Sequence, residues 1–213
     1  EMNSMIFEKM TVEDFINELA SDSPAPGGGS VAALCGALAS ALAVMVGNLT
    51  IGKQKYQDGW ESAENAISEG EKLKSKFINL MNKDTDSFNL FMAAMKMSKT
   101  TEAEKIIRAE AIENAAKIAT ETPLTTLETC VSLMDAVELM AAHGNPNAVS
   151  DAGVAALLAE STGRAAAYNV MINLPGIKDR DFSDKCRERM NAALEILGRR
   201  SSKVAAIIGT SLK

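Results

Sequence analysis

The chain has 213 residues, 46% hydrophobic and 23% charged, which is enough apolar content to bury a sizeable core and too much for a disordered segment. Its 28 acidic and 22 basic residues give a net charge of −6, unsuited to wrapping nucleic acid. One histidine, His143, and three scattered cysteines, Cys35, Cys130 and Cys186, leave no multi-histidine metal site, no zinc ribbon and no disulfide scaffold.

Glu1 to Lys9 shows no basic region followed by an apolar run, so no leader is expected and a cytoplasmic location is. Thr11 opens a first helix, with Asp14 as the acidic partner of a capping box, reaching about Ala20. Pro24-Ala25-Pro26-Gly27-Gly28-Gly29 breaks it, and Ser30 is placed to cap a second helix. Ser23 to Gly52 carries no charge, and Val31 to Ile51 could span a bilayer by length. Its apolar residues are mostly alanine, interrupted by Gly36, Ser40, Gly47, Asn48 and Thr50. That suits the centre of a soluble bundle better than a membrane, so no membrane partner is expected.

Asp58 to Lys99 reads as one long helix with a potential break at Gly70. Thr101 and Glu104 form a capping box for the next, which Pro123 ends or kinks; a further helix stops at Gly144. Ser150 starts a helix that ends before Pro175, and Ser183 starts the last. Small residues (Ala32, Gly36, Ser40, Ala43, Gly47) line one flank of the second helix, and Val154 to Leu174 has similar character. The expected fold is all-α: a helical bundle, one domain over 1–213, with two uncharged Ala/Gly-rich central helices covered by association into a homodimer.

On the long helix, Phe77, Leu80, Met81, Phe88, Phe91 and Met95 share a side, and Asp84 falls near its middle; Asp86 falls opposite. A carboxylate among apolar groups costs several kcal/mol unless paired, hydrogen-bonded or protonated. It either forms a buried structural contact or moves protons near neutrality. Gly27, Gly28, Gly29 and Ser30 precede a helix N-terminus, where free backbone N–H groups suit either a carbonyl-rich or anionic ligand or a close-packed turn. No Lys follows in P-loop spacing and no strand precedes. Asn145, Asn147, Ser150 and Asp151 form a comparable polar segment, and Lys53 lies beyond the second helix, where a cation suits the helix dipole or an anionic substrate.

PAPGGGSVAA (24–33), TIGK (50–53), KDTDSF (83–88), Pro123-Leu124, GNPNAVSD (144–151) and NVMINL (169–174) occur in one order along nearly the whole chain. In these segments the chain resembles the cyclodeaminase/cyclohydrolase family of folate one-carbon metabolism. The resemblance implies an all-helical dimer, with no metal and no bound cofactor, acting on a tetrahydrofolate derivative. The reaction would be hydrolysis of methenyltetrahydrofolate to formyltetrahydrofolate, cyclisation of formiminotetrahydrofolate with loss of ammonia, or both. Asp84 matches the family's catalytic aspartate; by the same match Gly27, Gly28, Gly29, Ser30, Lys53, Asn145, Ser150 and Asp151 would line the folate pocket. Family members often carry an acid two residues before that aspartate, where this chain has Asn82. A non-catalytic folate-binding or helical interaction protein is the alternative, separated from the enzyme by the lack of turnover.

Overall fold

The computed structural model describes residues 7–212, in which helical periodicity is realised without a strand. Six α-helices follow in order among these residues: α1 (Val12–Leu19), α2 (Gly28–Asn48), α3 (Trp60–Lys96), α4 (Glu102–His143), α5 (Val149–Asn173) and α6 (Arg180–Ser211). Four short 3-10 helices, at Phe7–Lys9, Gln54–Gly59, Pro146–Ala148 and Leu174–Gly176, sit at the connections. Residues 1–6, the greater part of the Glu1–Lys9 stretch in which no leader is expected, lie outside the described residues.

Helix α2 is the hub, packing on α3, α4 and α5, while α6 closes over α4 and α5. By length and hydropathy α2 could cross a membrane, yet more than half of that apolar stretch is buried inside the bundle. The flank Ala32, Gly36, Ser40, Ala43 and Gly47 is buried throughout. Its purpose is close approach: a Cβ on Gly36 would run into the Phe77 ring. Phe77, Leu80 and Met81 of α3 are buried here, as their helical spacing predicts, whereas Met95 is exposed near the end of that helix.

Several boundaries differ from the sequence reading, each for a local reason. Helix α2 starts with Gly27 as its N-cap, and Ser30 lies a turn inside with its hydroxyl committed to another helix. At α1, Thr11 caps the Asp14 N–H, but the Asp14 carboxylate takes the Thr11 hydroxyl (2.6 Å). Helix α3 runs unbroken through Gly70, whose bare Cα accommodates the Val44 side chain. Helix α5 begins at Val149, and Asn145 caps the preceding 3-10 turn. Helix α6 begins at Arg180, capped by Asp179, which Lys117 also holds at 2.7 Å. The capping box at Thr101 and Glu104 forms as expected, and all three cysteines are free.

The largest difference is at Pro123, where α4 continues as one helix of 42 residues. Proline has no N–H for the carbonyl four residues back, which is that of Ala119. The Asn173 side chain supplies the missing donor, with Nδ2 2.8 Å from the Ala119 oxygen. Tertiary structure thus restores the bond that sequence removes.

The α2–α3 contact leads to a measurable expectation. Gly36→Leu forces the Phe77 ring aside and should destabilise the fold by about 1–3 kcal/mol. Denaturant unfolding reads this, and an unchanged midpoint would contradict the close packing.

Candidate active site

The start of α2, the end of α5 and the middles of α3 and α4 enclose a cavity of about 510 Å³. Its rim is the Pro24–Gly29 segment entering α2. Its walls are Asp84, Thr85, Ser87, Phe88 and Phe91 from α3, Ile112, Ala116 and Ala119 from α4, and Asn169, Ile172 and Asn173 from α5. Among the described residues, Asp84 is the only ionisable side chain that lines it. The apolar side of α3 therefore divides in two: its first half enters the core, and its second half, with Phe88 and Phe91, faces this cavity.

Asp84 stands against the first turn of α2. Ser30 Oγ donates to Asp84 Oδ2 at 2.9 Å, and the Ser30 backbone N–H donates to the same carboxylate. The Ser30 and Thr85 hydroxyls lie 3.3 Å apart, extending the network. Burial pushes the Asp84 carboxyl above the ordinary range, and the two Ser30 hydrogen bonds pull it part of the way back. The contact requires glycine at position 29, because a Cβ there would fall on the carboxylate. The three glycines thus serve both readings at once: they admit a close neighbour, and that neighbour is the acidic group. Asp86 is exposed on the opposite side of α3.

The sequence-predicted site residues separate into two groups. Gly27, Gly28, Gly29, Ser30 and Asp84 come together at the cavity. Lys53, Asn145, Ser150 and Asp151 lie at the far end of α2, roughly 30 Å away for a helix of this length. There Asn145 is buried and fastens the α4–α5 connection to α2: its N–H donates to Thr50 Oγ1 (2.9 Å) and its Nδ2 to the Leu49 carbonyl (3.1 Å). Lys53 and Ser150 are exposed and Asp151 half-buried. Within one chain these four do not reach the cavity.

The sequence reading missed Asn169 and Asn173 as cavity residues. The signal was present: two carboxamides one helical turn apart in a segment otherwise rich in alanine and apolar residues. Pro123, by freeing a carbonyl, also implied that a donor had to come from elsewhere.

The raised Asp84 carboxyl has a consequence for stability. In the unfolded chain it ionises near the ordinary 3.8, and in the folded chain only at higher pH. Below 3.8 both states are protonated and no cost arises. As pH rises through the window between the two values the unfolded state ionises first, so stability falls. Asp84→Asn should therefore melt no lower than wild type at pH 7, with its relative advantage shrinking as pH approaches 3.8. Thermal unfolding across that range tests the sign, and a variant that loses stability at neutral pH contradicts it.

A family model described as formiminotransferase-cyclodeaminase matches residues 11–192. A methenyltetrahydrofolate cyclohydrolase from Methylorubrum extorquens is 38% identical over 194 residues, covering 91% of this chain and 93% of that protein. The formimidoyltransferase-cyclodeaminase of Sus scrofa is 35% identical over 181 residues; the match covers 85% of this chain and 34% of that relative's length. The crystal structure of formiminotetrahydrofolate cyclodeaminase from Thermotoga maritima superposes with a TM-score of 0.87 at 29% identity, covering 97% of this chain and 99% of that one.

Proposed function

This chain belongs to the formiminotransferase-cyclodeaminase family, and on that premise we propose that it is a folate one-carbon enzyme with Asp84 as its proton-transferring group. The reaction is hydrolysis of methenyltetrahydrofolate to formyltetrahydrofolate, cyclisation of formiminotetrahydrofolate to methenyltetrahydrofolate with release of ammonia, or both in one site. The observation that carries the reading is a single carboxylate, raised by burial, in the wall of an otherwise uncharged and largely apolar cavity.

Methenyltetrahydrofolate carries its one-carbon bridge as a cation delocalised over two nitrogens. A cation in this cavity favours the ionised carboxylate, drawing down the carboxyl that burial had raised. Substrate binding thereby readies its own base. Water attacks the bridge carbon while Asp84 takes one of its protons. The resulting carbinolamine breaks one carbon–nitrogen bond as its hydroxyl becomes the formyl carbonyl: Asp84 returns its proton to the departing nitrogen, and the hydroxyl proton leaves to solvent. In the cyclisation, a folate N–H nitrogen attacks the carbon of the protonated formimino group, Asp84 carries that N–H proton to the formimino nitrogen, and ammonia departs as the methenyl cation forms. Ser30, holding the carboxylate through its N–H and hydroxyl, fixes the direction of the transfer. Neither sequence of steps calls on a metal or a bound cofactor.

A homodimer in the cytoplasm is the proposed working form. Its support is an exposed apolar face across two packed helices: Leu38 and Met45 of α2, Leu49 at its C-cap, and Val154 and Leu157 of α5. Two copies of α2 paired head to tail across this face would carry Lys53 of the partner subunit toward the Asp84 end, where a cation suits the folate glutamate carboxylates. Asn145, Ser150 and Asp151 would contribute to the pocket by the same pairing.

Two experiments test these statements. Purified protein is given each substrate while the methenyl absorbance is followed; Asp84→Asn should lose at least about a hundredfold in kcat and remain folded by circular dichroism. Gly29→Ala, which displaces the carboxylate, should lose activity in the same direction. Wild-type protein inert toward both substrates, or an active Asp84→Asn, refutes the assignment. For the assembly, sedimentation should give two chains, and Leu38→Asp with Leu157→Asp should give one. Lys53→Ala should raise KM in the two-chain protein and leave it unchanged in the single chain.

A further inference from the structure

Asn169 and Asn173 sit one turn apart on α5, so their side chains project from the same side with Cβ atoms about 6 Å apart. Both line the cavity. Asn173 Nδ2 donates to the Ala119 carbonyl at 2.8 Å, and Asn169 Nδ2 donates to the Ala165 carbonyl at 2.9 Å. A backbone carbonyl can only accept, so the nitrogen of each carboxamide must face it. The orientation of both amides is thereby decided by chemistry. For Asn173 it is decided by Pro123, which leaves the Ala119 oxygen without its helical donor. Each carboxamide then keeps its carbonyl oxygen and its second N–H, neither of them with a hydrogen-bond partner among the described residues.

From this pair we infer a two-acceptor subsite that takes the N–H edge of the substrate's pterin ring. The inference rests on the folate reading above and specifies which part of the substrate enters the cavity. A tetrahydropterin presents an exocyclic amino group and ring N–H groups, all donors, on a flat body. Two fixed acceptors a turn apart match two donors on one such edge. The apolar walls from Ile112, Ala116 and Ile172 suit the ring itself. Elsewhere in the cavity, Asp84 accepts from Ser30 and is reserved for the bridge carbon, and the glycines offer N–H groups rather than acceptors. Because one N–H of each carboxamide is tied to backbone, the two carbonyl oxygens are held in a fixed orientation. Asn169 and Asn173 act as binding residues, with no part in proton transfer.

Two substrate fragments separate the outcomes: 6-methyltetrahydropterin, which has the donor edge, and 4-aminobenzoylglutamate, which lacks it. Asn169→Ala should weaken the pterin fragment about five- to tenfold by calorimetry and leave the aminobenzoyl fragment unchanged. It should raise KM for methenyltetrahydrofolate by a similar factor with kcat within twofold, the reverse of Asp84→Asn. Asn173→Ala should do the same but also uncovers the Ala119 carbonyl; if it fails to fold, Asn169→Ala alone carries the test. Equal pterin binding by wild type and Asn169→Ala overturns the subsite, as does an equal loss of both fragments. If wild type turns over methenyltetrahydrofolate and Asn169→Ala keeps its KM, the subsite fails and the enzyme reading stands. If wild type turns over neither folate substrate yet its pterin binding needs Asn169, the subsite stands and the enzyme reading fails.

Discussion

The contact between the first turn of α2 and the Asp84 carboxylate organises this protein. A helix N-terminus has backbone donors without partners, and a carboxylate in an apolar wall has lone pairs without water. Each answers the other through the N–H and hydroxyl of Ser30. The match is incomplete, since burial still outweighs the hydrogen bonds and the carboxyl remains raised. A carboxylate left in that imbalance holds its proton to higher pH than a fully hydrogen-bonded one. Gly29 sets the distance at which the balance is struck.

The rest of the bundle can be understood as support for that contact. Helix α2 must come close to α3 to bring its N-terminus to Asp84, and the small residues along its flank allow the approach over its whole length. Phe77 lies over Gly36 one stretch below the site, so packing in the core fixes the register in which Asp84 meets Ser30. Further along α3 the same side of the helix opens away from the core, and Phe88 and Phe91 pass from packing residues to cavity wall. Opposite them, α4 continues through Pro123 only because α5 supplies Asn173. Two elements thus become rigid together at the place where a ligand would lie between them.

The opposite end of α2 has different physics. Asn145 there spends its backbone N–H and both side-chain groups on local structure, bonding Thr50, Leu49 and Asn147. Its polarity is used up in holding a connection. Lys53 makes no ion pair among the described residues and is exposed, but it lies a helix length from the carboxylate within its own chain. The segments shared with the family therefore cover two kinds of place: one where side chains face a cavity, and one where they fasten helices.

Local periodicity was sufficient for much of this. The 3.6-residue spacing put Asp84 among Phe77, Leu80, Met81 and Phe88, and capping chemistry found Thr11 and the Thr101–Glu104 box, because these depend on neighbours within one turn. The charge-free run from Ser23 to Gly52 marked the central helix for the same reason. Tertiary structure alone decided that Ser30 serves α3 instead of capping its own helix. It also decided that Pro123 does not end α4, that Asn169 and Asn173 face the cavity, and that Lys53 and Asn145 do not. Each of those depends on a partner tens of residues away, delivered by helices running side by side, and no periodicity within a single helix encodes which distant backbone it will meet.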